Sequence, residues 1–284
     1  MSLLARLFGS TAYRNREGHG AFDFRLPATS IQPGVSAMVR ARNEASKIGA
    51  CLRSILPLFD EIIVIDNGSE DATADQVRAL QRDEPRGNRI VLRQYPFRLA
   101  RFGPEHGQVA ANSIHSAVYF SNWALAQCSR RFVCKWDADM VAVRETRAEF
   151  GAFLQAVQRG YPKGWSLAGQ TVYRDAGGDY LLAIGEVNRE VELIPAGRGC
   201  HFVKKPQWEH LARPPWVRRG DFLPIAFYEL KFVLEAEFGH WSTTDWPTQR
   251  KRREWRNFES IRSGNVDPDR FRRLGPTFLD DECR

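Results

Sequence analysis

The sequence predicts an α/β protein: a central, mostly parallel sheet flanked by helices, followed by a half in which strand direction is mixed. Three observations carry that expectation. Short apolar runs alternate with helical patterns through the first half, polar clusters stand directly at the ends of those runs, and past about residue 160 strands joined by Gly and Asp turns replace the alternation. Parallel strands need crossover connections, and only the first half supplies them.

After an arm ending near residue 33, VSAMV reads as a buried strand, and RARNE opens a segment in which Ile48, Leu52 and Ile55 share one helical face before Pro57. EIIVI is a second, fully apolar strand, DNGSED a turn-rich loop, and ATADQVRALQR a helix with Ser69 as its expected cap. RIVLRQY, from Arg89 to Tyr95, is the third strand. A loop rich in Arg, Gly and Pro leads to a helix expected from about Val109 to Gln127, and FVCKW follows as the fourth strand. Strands covered on both faces show such unbroken apolar runs.

ETRAEFGAFLQAVQRG then places Phe150, Leu154 and Val157 on one side of a further helix. WSLAGQTVYR, DYLLAIG and REVELIP are the strands of the mixed half, and one more helix is expected between Leu223 and Phe238. The chain thus divides into an arm (1–33), a first α/β half (34–150), a mixed half (151–244) and a basic extension (245–284), within one structural domain.

With 284 residues, 43% hydrophobic and 26% charged, the chain can bury a full-sized core. Its five cysteines form no CxxC pair and several lie inside apolar patterns, which suits buried thiols in a reducing, cytoplasmic compartment. The opening MSLLARLFGSTAYR is too short in its apolar part for a signal peptide, and no window approaches a membrane span.

The formal charge is +7, and all but seven of the 41 basic residues are arginine, whose planar fork suits phosphate and carboxylate oxygens. Residues 245–274 hold nine basic and five acidic side chains. With Leu3, Leu4, Leu7 and Phe8 beside Arg6, they suggest peripheral contact with an anionic membrane. The competing expectation is a solvated helix and an arm packed on its own domain.

Open parallel sheets bind ligands beyond the carboxyl ends of their strands. Three polar clusters fall there: RARNE at 40–44, DNGSED at 66–71 and DAD at 137–139. In extended backbone, residues two apart point the same way, so Asp137 and Asp139 are expected to face one site. Two such carboxylates call for a cation, and Mg²⁺ or Mn²⁺ takes oxygen ligands from one or two carboxylates and substrate phosphates. The ligand this implies is a phosphorylated nucleotide. A solvated turn is the plain alternative for DAD; its place after a fourth strand favours the metal.

Arg40 ends the first strand, where it can meet a base, ribose or phosphate or simply cover a helix end. Asp66 and Asn67 end the second, where they can bond a ribose or a base edge, or form an Asx turn. There is no GxxxxGK and no GxGxxG, so neither a P-loop NTPase nor a dinucleotide-binding enzyme is supported.

Taken in order, VSAMVRARNEASKIGACLRSI, DEIIVIDNGSEDAT and VCKWDADM resemble the N-terminal half of a family 2 glycosyltransferase with the Rossmann-like GT-A fold. The residues that carry the resemblance are the pair Asn43 and Glu44, the Asp-x-Gly-Ser-x-Asp motif of Asp66, Gly68, Ser69 and Asp71, and the Asp-x-Asp motif of Asp137 and Asp139. It spans about residues 34–150.

The resemblance implies transfer of a sugar, usually with inversion, from a nucleoside diphosphate sugar to an acceptor hydroxyl. It also implies Mn²⁺ or Mg²⁺ on the Asp-x-Asp motif, and a glycan or lipid-linked acceptor in cell-surface glycan synthesis. By it, Arg40, Asn43, Glu44, Asp66 and Asn67 belong to the nucleotide-sugar site, with Asp137 on the donor side and Asp139 the main metal contact. Many relatives carry a second aspartate where this chain has Asn67. Arg98 and Arg101 of YPFRLARFG, and Asn122 of SNWALAQC, resemble the region that lines the donor pocket.

Besides Asp137, the resemblance implies a catalytic carboxylate in the second half, acting as base toward the acceptor. Glu209 is the leading candidate, because HFVKKPQWEHL resembles a loop of core-oligosaccharide transferases with a glutamate near a histidine; Glu186, Asp221 and Glu229 are the alternatives. A nucleotidyltransferase would want a glycine-rich loop where RARNEAS stands. A nucleic-acid-binding or scaffold protein is suggested only by charge and by RKRREWRNF, which makes nucleic acid the weaker partner.

Overall fold

The structure, a computed structural model, describes residues 11–26, 32–160, 163–197, 199–233 and 248–283. The elements of the first half are β1 (Thr11–Tyr13), β2 (Phe24–Leu26), β3 (Gln32–Ala41), α1 (Ile48–Ile55), β4 (Glu61–Asp66), α2 (Thr73–Asp83), β5 (Ile90–Gln94), α3 (Pro104–Gln108), α4 (Ala117–Ala126), β6 (Arg130–Asp137), β7 (Met140–Ala142) and α5 (Arg147–Arg159). The second half holds β8 (Gly164–Arg174), β9 (Tyr180–Ala183), β10 (Asn188–Pro195), β11 (His201–Lys204), β12 (Glu209–Ala212), β13 (Arg219–Phe232), α6 (Gln249–Arg262), β14 (Phe271–Gly275) and α7 (Phe278–Cys283).

Strands β5, β4, β3 and β6 lie side by side in that order, all parallel. Beyond β6 the sheet turns mixed, as expected. β10 is antiparallel to β6, β8 is antiparallel to β10, and β13 runs parallel along β8 while its other edge takes β7. Alternation of side chains along β3 explains the two cores: Val35, Ala37 and Val39 pack with α1 and α5, while Met38 packs with Val118 and Ala124 of α4. Both faces are covered, so both are apolar.

Trp136 is wholly buried among Phe59, Phe150 and Phe227, and its indole N–H donates to the Met140 carbonyl at 3.1 Å. It therefore fixes the turn after β6 by packing and one hydrogen bond.

Two expected helices differ. The one expected over Val109–Gln127 is α4 alone, because long-range bonds hold residues 113–114 in a loop. Glu17 accepts from the Ser113 hydroxyl at 2.6 Å and the Ile114 N–H at 3.1 Å, and the Tyr95 hydroxyl donates to the Ile114 carbonyl at 2.8 Å. The helix expected between Leu223 and Phe238 is instead the long strand β13 as far as Phe232; residues 234–247 lie outside the described residues. Ala226 to Phe232 are all buried between β7 and β8, so their apolar run has no period of two, and Pro224 sits where the register slips.

The basic extension is built into the body. β14 pairs with β9, and α6 packs Phe258 and Ile261 against Tyr173, Leu181 and Val233. Several of its cations are paired: Arg250 with Glu229 and Glu254, Lys251 with Glu254, Arg253 with Glu186, Arg262 with Glu259, and Arg273 with Asp179. The stretch from Leu3 to Phe8, the other part of the membrane expectation, lies outside the described residues. All five cysteines are free, and among the described residues no helix is long and apolar enough to cross a membrane.

Gly169 on β8 tests the seam between the strands. A Cβ built there would lie 2.2 Å from the Phe227 ring. Gly169→Ala is expected to cost about 1–3 kcal/mol and lower the thermal midpoint; an unchanged midpoint would contradict this packing.

Candidate active site

The loops after β3 and β4 are laced together by the motif residues themselves. Asn43 adopts a left-handed φ of 55°, tolerated by Asn more readily than by most side chains. Its N–H donates to the Ser69 hydroxyl at 3.0 Å, and its side-chain oxygen accepts from the Glu70 N–H at 2.8 Å. The Glu44 N–H donates to Thr73 Oγ1 at 2.8 Å and the Ala45 N–H to Asp71 Oδ2 at 3.0 Å. Asp66, 2% exposed, accepts from both the N–H and the hydroxyl of Ser69. Ser69 is thus the knot between two loops rather than the cap of α2. The Glu44 carboxylate pairs with the buried Lys47 ammonium at 3.3 Å.

Asn67 shows why an amide stands at the end of β4. Its Nδ2 donates to the carbonyls of Tyr95 at 2.9 Å and Phe97 at 2.8 Å, which anchors the loop after β5. An aspartate has no N–H to offer two carbonyls.

Arg40 is the centre of the strand-end cluster. Its Nη2 donates to Asp137 Oδ1 at 3.1 Å, while Nη1 donates to Glu209 Oε1 at 2.5 Å and to the Ser121 hydroxyl at 3.0 Å. The Ser121 hydroxyl donates in turn to Glu209 Oε2 at 2.7 Å. One guanidinium therefore ties β3 to β6, to α4 and to the β11–β12 hairpin. Asp137 also receives the Lys135 ammonium at 3.2 Å. Burial alone would raise its pKa, but Lys135 and then Arg40 outweigh burial and hold the carboxyl well below the usual carboxylate range.

Asp139 stands past the end of the strand, where the alternation behind the expectation no longer applies. The backbone turns at Ala138 and Asp139, so the two-residue alternation ends at Asp137. Instead Asp139 Oδ2 accepts from the Lys231 ammonium at 2.8 Å. The turn is fixed from several sides: the Leu230 N–H donates to the Asp139 carbonyl at 2.8 Å, the Ala142 N–H to the Ser54 hydroxyl at 3.0 Å, and the Cys51 thiol to the Asp137 carbonyl at 3.7 Å.

Lys231 also pairs with Glu229 at 3.0 Å, and Glu229 with Arg250 of α6 at 2.6 Å. The Asn188 amide donates to the same Glu229 carboxylate at 3.0 Å. Burial would raise the Glu229 pKa, yet Lys231 and Arg250 prevail and lower it, so this carboxylate is a poor proton acceptor.

The remaining expected residues are scattered. Asn122 is 1% exposed and clamps β11, donating to the Phe202 carbonyl at 2.9 Å and accepting from the Phe202 N–H at 2.8 Å, so it is a structural amide rather than the expected lining of the donor pocket. Arg98 is exposed and pairs with Glu105 at 2.8 Å; Arg101 is also exposed, on the same loop. Glu186 is held by Arg253 and Asn257 of α6. Asp221 is exposed near the start of β13, eight positions before Glu229 on the same strand. Sequence reading missed Ser121, Lys135, Lys231 and Arg250, of which only Lys135 carried a signal, lying two residues before Asp137 in the same strand.

Residues 36–101, the stretch from β3 to the loop after β5, match the profile of glycosyl transferase family 2. No curated protein matches the chain significantly. Among solved structures, residues 1–349 of TarS from S. aureus are similar at 13% identity over 70% of this chain and 60% of that one, with a TM-score of 0.44. The mannosyltransferase PcManGT from Pyrobaculum calidifontis, in complex with GDP-Man and Mn²⁺, is similar at 21% identity over 48% and 36%, with a TM-score of 0.36. Glucosyl-3-phosphoglycerate synthase from Mycobacterium tuberculosis, with Mg²⁺ and UDP, gives 25% identity over 51% and 44%, and 0.30. The chain spans 60% or less of the length of each.

The matched stretch holds the knotted loops and Arg40, while Asp137 and Asp139 lie beyond it. Among the described residues no three or more His, Cys, Asp or Glu side chains are grouped to hold a metal. A hard cation that shares phosphate oxygens needs only one or two carboxylates, so Asp137 and Asp139 fit it in donor type. Both already face cationic side chains.

Asn67→Asp, which restores the aspartate common among relatives, is expected to cost about 1–3 kcal/mol, because two buried carbonyls lose their donor and face a carboxylate. Urea unfolding of the two proteins measures it. Equal stability would show that the Asn67 bonds do not anchor the loop.

Proposed function

We propose that the chain transfers a sugar, with inversion, from a nucleoside diphosphate sugar to an acceptor hydroxyl of a glycan or lipid-linked glycan in cell-surface glycan synthesis. The observation that carries the proposal is Arg40 bridging Asp137 and Glu209 at the carboxyl ends of parallel strands, beside a family 2 segment. Open sheets of this kind bind nucleotides there.

Asp137 and Asp139 would hold Mn²⁺ or Mg²⁺, which would offset the charge growing on the departing diphosphate. The chain's own groups prepare the place. Arg40 and Lys135 keep Asp137 ionised, the knotted loops after β3 and β4 form the wall toward base and ribose, and Asn67 holds the next loop against that wall. Arg40 stands at the end of β3, on the side where the resemblance puts the base.

Glu209 is the proposed acceptor-side base. Of the four candidate carboxylates, it alone reaches Arg40, and its Oε2 already takes a hydroxyl proton donor, Ser121, at 2.7 Å. An acceptor hydroxyl replacing Ser121 there would be placed for proton transfer. Glu229 is locked between two cations, Glu186 is held by α6, and Asp221 is exposed near the start of β13, eight positions before Glu229. Arg250, Arg253 and Arg273 of the extension pair with carboxylates of the body, so part of its charge serves the fold and nucleic acid remains the weaker partner.

A thermal-shift screen of UDP-, GDP-, dTDP- and CMP-sugars, with and without Mn²⁺, tests the reading. Metal-dependent stabilisation by one of them is expected, and none by any would overturn it. With that donor, Glu209→Gln is expected to retain the shift and lose transfer by about 10²-fold or more. Loss of the shift as well would make Glu209 a holder of Arg40 and not the base.

A further inference from the structure

Counting charge around the proposed metal site gives an unexpected result. Four carboxylates, Asp137, Asp139, Glu209 and Glu229, are in direct ion pairs with Arg40, Lys135, Lys231 and Arg250. The groups on the Asp139 side are almost fully buried: Lys231 and Glu229 are 6% exposed and Asp139 is 9%. Around Asp139 and Glu229 the described residues thus already supply cations, Lys231 and Arg250, at ion-pair distance, in a place largely closed to water. Adding two positive charges to it is costly unless anionic oxygens arrive too, or a cation leaves.

Lys231 is the cation whose position matters. Its ammonium lies 2.8 Å from Asp139 Oδ2, inside the space that a metal on that oxygen would fill. It has a second anchor, Glu229 Oε1 at 3.0 Å, on the same strand two residues away. Residues two apart in a strand share a face, so Lys231 can give up Asp139 without giving up all compensation.

We propose that Lys231 is an internal cation that occupies the Asp139 carboxylate and competes with the divalent metal for it. The site is thereby nearly closed to a bare metal ion and opens to a metal accompanied by the phosphates of a nucleotide. The consequence is a built-in order: diphosphate oxygens supply the negative charge that Lys231 otherwise cancels, and Lys231 retires toward Glu229. Glu229 in turn is held by Arg250, and Arg250 by Glu254 at 2.6 Å, so the resting place of Lys231 is set by helix α6. Lys231 is a positioning residue under this proposal, since it acts on the metal through Asp139.

The inference rests on the metal reading of Asp137 and Asp139, and the experiment separates the two. Binding of Mn²⁺ to the full chain is followed by electron paramagnetic resonance of the free ion, first with no nucleotide and then with UDP or GDP. For the wild type, weak binding alone and tighter binding with one of the nucleotides is expected. Lys231→Met leaves the cluster one cation short, and it is expected to bind Mn²⁺ alone at least about tenfold more tightly than the wild type. Glu229→Gln removes one of the anions that can draw Lys231 away from Asp139, so Mn²⁺ affinity is expected to fall below that of the wild type.

Opposite shifts from the two variants are a signature that loosening of the fold does not produce, and Glu229→Gln alone decides if Lys231→Met does not fold. Wild type that binds Mn²⁺ with nucleotide, together with Lys231→Met no tighter or Glu229→Gln no weaker, would overturn the role of Lys231 and leave the metal site standing. Absence of Mn²⁺ binding in every protein and condition would overturn both.

Discussion

The guanidinium of Arg40 holds the functional end of the molecule together. It lies near the carboxyl end of β3 and binds a carboxylate on β6, a carboxylate on the β11–β12 hairpin and a hydroxyl on α4. A lysine in its place would offer a point charge where three partners lie in different directions; the planar fork meets all three at once. Removal of one partner of such a half-buried network leaves its opposite charge uncompensated, which is why breaking a buried pair typically costs about 3–5 kcal/mol even when forming it gained little. The network is best understood as a device for position.

A second chain of alternating charges runs from Asp139 through Lys231, Glu229 and Arg250 to Glu254 and Lys251. It starts in the turn after β6, passes along β13 and ends on α6. Part of the extension's charge has a place in the fold: Arg250 compensates Glu229, Arg253 compensates Glu186 and Arg273 compensates Asp179, all carboxylates of the body. The backbone beneath is equally constrained, because Trp136, Ser54, Cys51 and Leu230 fix the turn between the aspartates from different elements.

The parallel half was legible because its information is local. Apolar runs such as EIIVI admit few alternatives, and the motifs at their ends fall where loops must be. What local pattern does not contain is a long-range partner. The expected start of α4 was lost to Glu17 and Tyr95, nearly a hundred and about twenty residues away along the chain, and β13 read as a helix because a strand covered on both faces loses its period of two. At the proposed site, Arg40, Asp137 and Glu209 share one ion-pair network, whereas Asn122 and Asn67 hold backbone carbonyls. Asparagine's short amide serves either purpose, and its sequence neighbours do not say which. Lys231 lay in the segment misread as helix, and with it went half of the electrostatics.

The two aspartates therefore do different work even though one alanine separates them. Asp137 is the last residue of a strand and shares the environment of β3 and β6, so two cations on those strands keep it charged. Asp139 is past the turn and belongs to the environment of β13. A motif of two carboxylates at that spacing is usually pictured as one pincer; here each arm has its own counter-ion on a different strand. A metal that draws both arms together must then replace or share cations from two directions, and the phosphate groups of a nucleotide are what make that exchange favourable. On the proposed reading, metal binding and nucleotide binding are the same electrostatic problem, set by where the chain turns between Asp137 and Met140.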